Sequence, residues 1–246
     1  MHTIHYSWIS CSGYACLVDT RFVDCRPREA YLAGHIPGAA HADPERDLTG
    51  EVGGGRHPLP SADAFAAWAS ASGIGPQTLV AGYDDGTGWA ARLWWLLRHF
   101  GHDAAGEFRL GAWHGPLTEG EEAIAPTTFV AHARADDTAD AAEILDRLGD
   151  ASLTLVDARA PERWRGETEP IDPVAGRIPG ARNRFFLDES PLPADLRDAP
   201  DLVVYCGSGV TACAVLHELH LAGRDDARLY PGSFSEWYAL GPVERG

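Results

Sequence analysis

The chain states one plan twice, and that duplication limits its fold more than any other feature. Val23-Asp24-Cys25-Arg26 is followed by Gly34-His35-Ile36-Pro37-Gly38-Ala39, the apolar run Leu79-Val80-Ala81-Gly82-Tyr83 and Leu110-Gly111-Ala112-Trp113. The second copy keeps the order: Val156-Asp157-Ala158-Arg159, Gly176-Arg177-Ile178-Pro179-Gly180-Ala181, Leu202-Val203-Val204-Tyr205, then Tyr230-Pro231-Gly232-Ser233-Phe234-Ser235-Glu236-Trp237. Matched landmarks in a conserved order mark a repeated structural unit. They divide the 246 residues into two domains, 1–120 and 130–246. The connector is expected at about 115–131, where Pro116, Pro126 and Glu119-Gly120-Glu121-Glu122 read as a solvated linker.

Between the landmarks, Ala62 to Ser72, Ala90 to Phe100, Ala139 to Leu148 and Thr211 to Leu221 space apolar residues at three and four, the helical period. Gly101 and Gly223 fall where C-terminal caps belong. Short apolar strands alternating with such helices predict an α/β fold, each half a parallel sheet covered by helices on both faces.

The acidic excess, 36 residues against 20 basic for a net charge of −16, argues against a nucleic-acid partner, whose phosphates would be repelled. A small anionic ligand would need a local basic patch. Five cysteines, an odd number without disulfide-like spacing, fit a reducing compartment, so a cytoplasmic location is expected. Met1 to Val18 reads as neither an export leader nor an anchor, and no apolar run approaches a membrane span.

The chemistry concentrates where the strand Leu202 to Tyr205 runs into Cys206-Gly207-Ser208-Gly209-Val210-Thr211 and a helix follows at once. Two glycines allow a tight loop whose amides converge on the sulfur, and the helix dipole adds positive potential. Cys206 is therefore the candidate nucleophile, against the alternative of an inert buried thiol. The first copy places Asp84 where the second has Cys206, in a longer acidic loop, Asp84-Asp85-Gly86-Thr87-Gly88. Only the second half is expected to be catalytic.

These landmarks resemble the tandem-domain rhodanese-type sulfurtransferases, with an inactive N-terminal domain and a catalytic C-terminal one. Within that family, Cys206 to Thr211 is similar to the loop of the 3-mercaptopyruvate enzymes, whereas thiosulfate-using members carry basic residues where Gly207 and Ser208 stand. The resemblance implies a persulfide carried on Cys206 and loop residues Gly207, Gly209, Val210 and Thr211 around the substrate. It also implies that Arg163 grips the carboxylate of a small anionic sulfur donor, a task suited to a planar guanidinium fork. Asp43, His57 and Ser208 match a serine-histidine-aspartate relay that would return a proton to the departing enolate, although an Asp or His in such loops often caps a turn instead.

A second family arginine has no counterpart after Glu169-Pro170, where Ile171-Asp172-Pro173 stands; Arg182 and Arg184 are the alternatives. Arg159 is open between substrate contact and pairing with Asp157. The expected acceptor is a thiol, cyanide or a thioredoxin-like protein, the expected state a monomer, and neither cofactor nor metal is required. A cysteine phosphatase would need an arginine where Ala212 stands, and a pure persulfide carrier would show no turnover with small donors. Gly53-Gly54-Gly55 lacks the lysine of a phosphate loop and reads as a flexible stretch.

Overall fold

The computed structural model describes residues 20–246. The expectations for Met1 to Val18, Cys11 and Cys16 lie outside the described residues. The chain divides into two compact units: one runs up to Gly50 and resumes over Pro60–Arg134, the other comprises Glu51–Leu59 and Ala135–Gly246.

The first unit is built from β1 (Thr20–Asp24), α1 (Arg28–Ala33), β2 (Ala40–His41), α2 (Ala62–Ala71), β3 (Leu79–Tyr83), α3 (Trp89–His99) and β4 (Ala105–Glu107). Its parallel sheet has the order β2-β1-β3-β4. The second unit contains α4 (Ala141–Asp146), β5 (Thr154–Asp157), α5 (Pro161–Trp164), β6 (Arg182–Asn183), α6 (Ala194–Arg197), β7 (Leu202–Tyr205), α7 (Ala212–Leu221), β8 (Arg228–Leu229) and α8 (Ser233–Leu240). Its sheet is again parallel, with the equivalent order β6-β5-β7-β8. The central strands read as continuous apolar runs because side chains on both their faces are buried.

Both glycine caps form. After α3 the amide of Gly101 donates to Arg98 O and that of His102 to Leu97 O; after α7, Gly223 donates to His220 O and Arg224 to Leu219 O. This paired pattern satisfies carbonyls that a helix end otherwise leaves open. The Trp94 to Leu97 stretch is buried.

Each Asp-x-Arg landmark proves to be a buried fork at a strand end. Asp24 Oδ2 accepts Arg26 Nη2 at 2.6 Å, and the same nitrogen reaches Gly34 O at 2.7 Å. Asp157 and Arg159 repeat these contacts, with Gly176 O taking the place of Gly34 O. In each unit a tyrosine closing the central strand lends its hydroxyl oxygen to the next turn: Tyr83 accepts the amide of Ile36, and Tyr205 that of Ile178. The repeat is thus one of hydrogen-bonding roles as well as of letters.

The segment 115–131, expected as a solvated linker, is mostly exposed and is hydrogen-bonded to the first unit. Thr118 pairs with His35 through both backbone groups, Glu122 Oε1 accepts the amide of Gly38, and Thr127 donates to Ser70 O. The boundary falls at Arg134 and Ala135. Composition does not show that one member of the acidic cluster, Glu122, has an amide partner in the Gly34-His35-Ile36-Pro37-Gly38 turn. Glu244 does the same for the second unit, accepting the amide of Gly180.

Arg159 is 2% exposed and compensates the buried carboxylates of Asp157 and Glu169. Replacing it by methionine is expected to destabilise the protein by about 3–5 kcal/mol, because the buried Asp157 loses its counter-ion and Glu169 one of its two. Urea unfolding checks this; a loss under about 1 kcal/mol would contradict the role.

Candidate active site

Segment 206–211 joins the end of β7 to the start of α7. The Gly209 amide donates to Cys206 Sγ at 3.1 Å. Gly209 has φ +79°, and a Cβ there would stand 2.6 Å from Pro231 O, so only glycine fits. The expected convergence of several amides reduces to this one contact. Cys206 itself is 1% exposed, at the floor of its loop. Val210 is buried, and Thr211 occupies the position before the first turn of α7.

The loop keeps its shape because the last landmark holds its backbone. Cys206 N–H donates to Ser233 Oγ at 3.2 Å, Phe234 N–H to Cys206 O at 3.0 Å, and Ser235 N–H to Gly207 O at 2.9 Å. Ser233 is fully buried and sits at φ +52°, a conformation that costs a non-glycine residue of order 1–3 kcal/mol. Its hydroxyl is fixed by donating to Tyr230 O. The Gly-Ser-Phe-Ser-Glu-Trp motif is a clamp on the cysteine turn.

In the first unit the equivalent turn satisfies itself. Asp84 Oδ1 accepts the amide of Gly86 at 2.8 Å, while Oδ2 accepts those of Ala90 at 3.1 Å and the Thr87 hydroxyl at 3.0 Å. A fixed carboxylate consumes the donors that a bound anion would use.

Glu51–Leu59 carries two further residues to the second unit's loop. The Arg56 amide donates to Ser235 Oγ at 3.0 Å, and His57 Nδ1 shares a 2.8 Å hydrogen bond with Ser208 Oγ, its direction set by the imidazole tautomer. The glycine run ahead of them is a close approach rather than a slack one. Gly55 has φ +80°, and a Cβ there would meet Gly232 O at 2.4 Å; one at Gly54 would overlap the Glu236 carboxylate.

The structure therefore brings His57 and Ser208 together, as the relay expects. Asp43 lies in the first unit, where its Oδ1 accepts the amides of Glu45 and Arg46, the turn-capping use that the sequence left open. Arg163 stands beside the cysteine turn, but its fork is already held: Nη2 and Nε donate to the two Glu169 oxygens at 2.6 and 3.1 Å. Burial works against the Glu169 carboxylate, yet Arg163 and the amides of Asp172 and Ile171 hold it below the usual range. Asp172 is different: burial pushes its carboxyl up, against the opposing pull of Arg56, with which it forms an ion pair.

Arg159, open in the sequence, is structural, stacking over the Phe234 ring at 4.0 Å as well as pairing with Asp157. Arg184 is committed to Glu218 and Asp188, and Arg182 to Asp195, so neither serves as the second arginine of the site. Arg56 is the residue the sequence reading missed; its adjacency to His57 was the available signal. Among the described residues no group of His, Cys, Asp and Glu side chains could hold a metal ion, and no helix is long and apolar enough to cross a membrane. Ser233→Ala is expected to cost about 1–3 kcal/mol, since it strips the buried Cys206 amide of its acceptor. The urea midpoint reads this; an unchanged midpoint would rule out the clamp.

Comparison with known proteins now places the chain. The rhodanese-like domain pattern matches twice, at residues 14–111 and 140–240. A Pseudomonas aeruginosa protein named "Probable 3-mercaptopyruvate sulfurtransferase" is 43% identical over 253 residues, covering 89% of each chain. The human 3-mercaptopyruvate sulfurtransferase is 36% identical, covering 86% of this chain and 79% of its own, and a mouse thiosulfate sulfurtransferase is 33% identical, covering 88% and 82%. The crystal structure of the Escherichia coli 3-mercaptopyruvate sulfotransferase SseA superposes with a TM-score of 0.75 at 27% identity, covering 89% of this chain and 94% of that one. Two parallel sheets of one order, a cysteine turn in only the second of them, and these matches all point the same way: the chain belongs to the rhodanese family, as a tandem-domain member.

Proposed function

We propose that the protein is a sulfurtransferase that takes the sulfur of 3-mercaptopyruvate onto Cys206 and passes it to a thiol, cyanide or a thioredoxin-like protein. The observation that carries this reading is the Cys206 sulfur facing the Gly209 amide, with the His57–Ser208 hydrogen bond on the same loop. Support for the donor comes from the neutral Gly207 and Ser208, which bring no loop cation to a sulfonate, and from the names of the more similar relatives. The mouse relative's name makes thiosulfate the competing donor.

The reaction runs in two displacements. Cys206, as thiolate, attacks the sulfur of HS–CH2–CO–COO⁻; a sulfur–sulfur bond forms, the carbon–sulfur bond breaks, and its electron pair leaves on carbon as the pyruvate enolate. His57, through Ser208, supplies the proton that converts enolate to pyruvate. An acceptor thiolate then attacks the outer sulfur of the Cys206 persulfide, taking it as a new persulfide and releasing the Cys206 thiolate. Arg163, oriented by Glu169, holds the donor's carboxylate, and the amides of Gly207, Gly209, Val210 and Thr211 surround the transferred sulfur. A monomer in the reducing cytoplasm completes the reading.

Cys206→Ser is expected to abolish turnover and the gain of one sulfur atom seen by intact mass after incubation with donor, while the melting temperature is kept. Retained turnover would end the proposal. Parallel kinetics with 3-mercaptopyruvate and thiosulfate decide the donor. Arg163→Ala is expected to raise KM for 3-mercaptopyruvate about tenfold or more, the loss of one charge-assisted contact. His57→Ala is expected to lower kcat about a hundredfold with KM little changed, read by steady-state kinetics.

A further inference from the structure

Arg56 does more than escort His57. Its Nη1 pairs with Asp172, whose side chain is 3% exposed, while its Nη2 makes no hydrogen bond to the described residues. Arg163 is arranged alike: two nitrogens are taken by Glu169, and Nη1 has no hydrogen-bond partner among the described residues. These two guanidinium groups, far apart in sequence, meet at one place. A Cβ on Gly207 would stand 2.8 Å from Arg56 Nη2, 3.4 Å from Arg163 Nη2 and 3.6 Å from Arg163 Nη1. Two like charges with open donors therefore share the space over the residue next to Cys206.

Like-charged groups converge stably only where anions compensate them. Asp172 and Glu169 do so from one side, which leaves the open donors for an incoming acid group. Asp172 also keeps one carboxylate oxygen, Oδ2, buried without a hydrogen bond and 3.7 Å from Arg163 Nη2. That is an ion-pair distance that orients Arg163 without occupying its remaining nitrogen. The absence of a side chain at Gly207 is what admits the Arg56 guanidinium so close, whereas Arg163 would be in ordinary contact with a Cβ there.

Resting on the sulfurtransferase reading above, we propose that Arg56 is the second carboxylate-binding arginine of the donor site, and that Gly207 sets donor specificity by leaving room for it. Arg56 and Arg163 each offer an open N–H to one oxygen of the 3-mercaptopyruvate carboxylate, while Asp172 positions Arg56 from behind. A basic side chain on the loop, as the thiosulfate-using relatives carry, would compete for the same volume. Arg56 thus supplies, from Glu51–Leu59, the cation that the stretch after Glu169-Pro170 lacks.

The test is steady-state kinetics with 3-mercaptopyruvate and a thiol acceptor for wild type, Arg56→Ala, Arg56→Lys, Gly207→Ala and the double variant Arg56→Ala/Gly207→Ala, with melting temperatures throughout. Gly207 has ordinary backbone angles, so its alanine variant tests the space alone. Arg56→Ala is expected to raise KM about 10- to 100-fold with kcat within about threefold, the scale of one charge-assisted hydrogen bond. Arg56→Lys recovers part of the loss. Gly207→Ala also raises KM, and the double variant is no worse than Arg56→Ala, because the methyl group acts by displacing a guanidinium that is already gone. An Arg56→Ala KM within twofold of wild type overturns the proposal. So does a fall confined to kcat, which would mark Arg56 as a mere support for His57, or fully additive effects in the double variant. If Arg56→Ala does not fold, Arg56→Lys and Gly207→Ala decide alone: both must raise KM. A wild-type protein that never loads sulfur from 3-mercaptopyruvate would defeat the underlying reading instead, a result the intact mass separates from an unchanged KM.

Discussion

The guanidinium of Arg159 joins scaffold to site. It is anchored by Asp157 at the end of β5, caps the Gly176 carbonyl of the following turn, braces Glu169 and lies flat on Phe234. Glu169 in turn aims Arg163, and the Phe234 amide holds the Cys206 carbonyl. A single buried cation, stable only because its acids are buried with it, therefore braces both the Arg163 guanidinium and the backbone of the Cys206 turn. Arg26 builds the same fork in the first unit without a site to serve, so the device belongs to the fold and has been put to use once.

The two cysteine-turn positions show how one loop geometry yields opposite outcomes. Amides at the start of a helix favour negative charge. Asp84 takes three donors of its turn with its two oxygens. Cys206 has a single atom to offer and accepts one amide, leaving the remaining donors of its turn for a charged sulfur or substrate. The two turns therefore differ in how many of their donors are taken, with the sheets and their order unchanged.

Particular residues show what could be read directly. The strands Leu79 to Tyr83 and Leu202 to Tyr205, the caps at Gly101 and Gly223, and the exposed logic of the Cys206 turn all follow from local pattern, since apolar runs, helical spacing and glycines act over a few residues. The tie of Glu122 to the first unit and the close packing of Gly54 and Gly55 left no sign in the sequence, because acidic and glycine-rich stretches have the same composition whether they are free or held against a distant partner. Glu122 meets Gly38, and Gly55 meets Gly232; neither meeting leaves a mark at the position itself. Arg56 escaped for the same reason, being one arginine among others until Asp172 and Gly207 stand beside it.

By itself the sequence determined the doubled α/β plan and the asymmetry that sets Cys206 at a strand-to-helix turn where the first copy has Asp84, because these rest on periodicity and on the identity of one residue. Tertiary structure alone decided that Glu51–Leu59 belongs with the second unit, that His57 meets Ser208, that Arg159 is a brace, and that Arg56 joins Arg163 over Gly207. The physical reason is that hydrogen bonds and ion pairs depend on distances of about 3 Å between atoms, and residues far apart along a chain acquire such distances only when the whole backbone has folded.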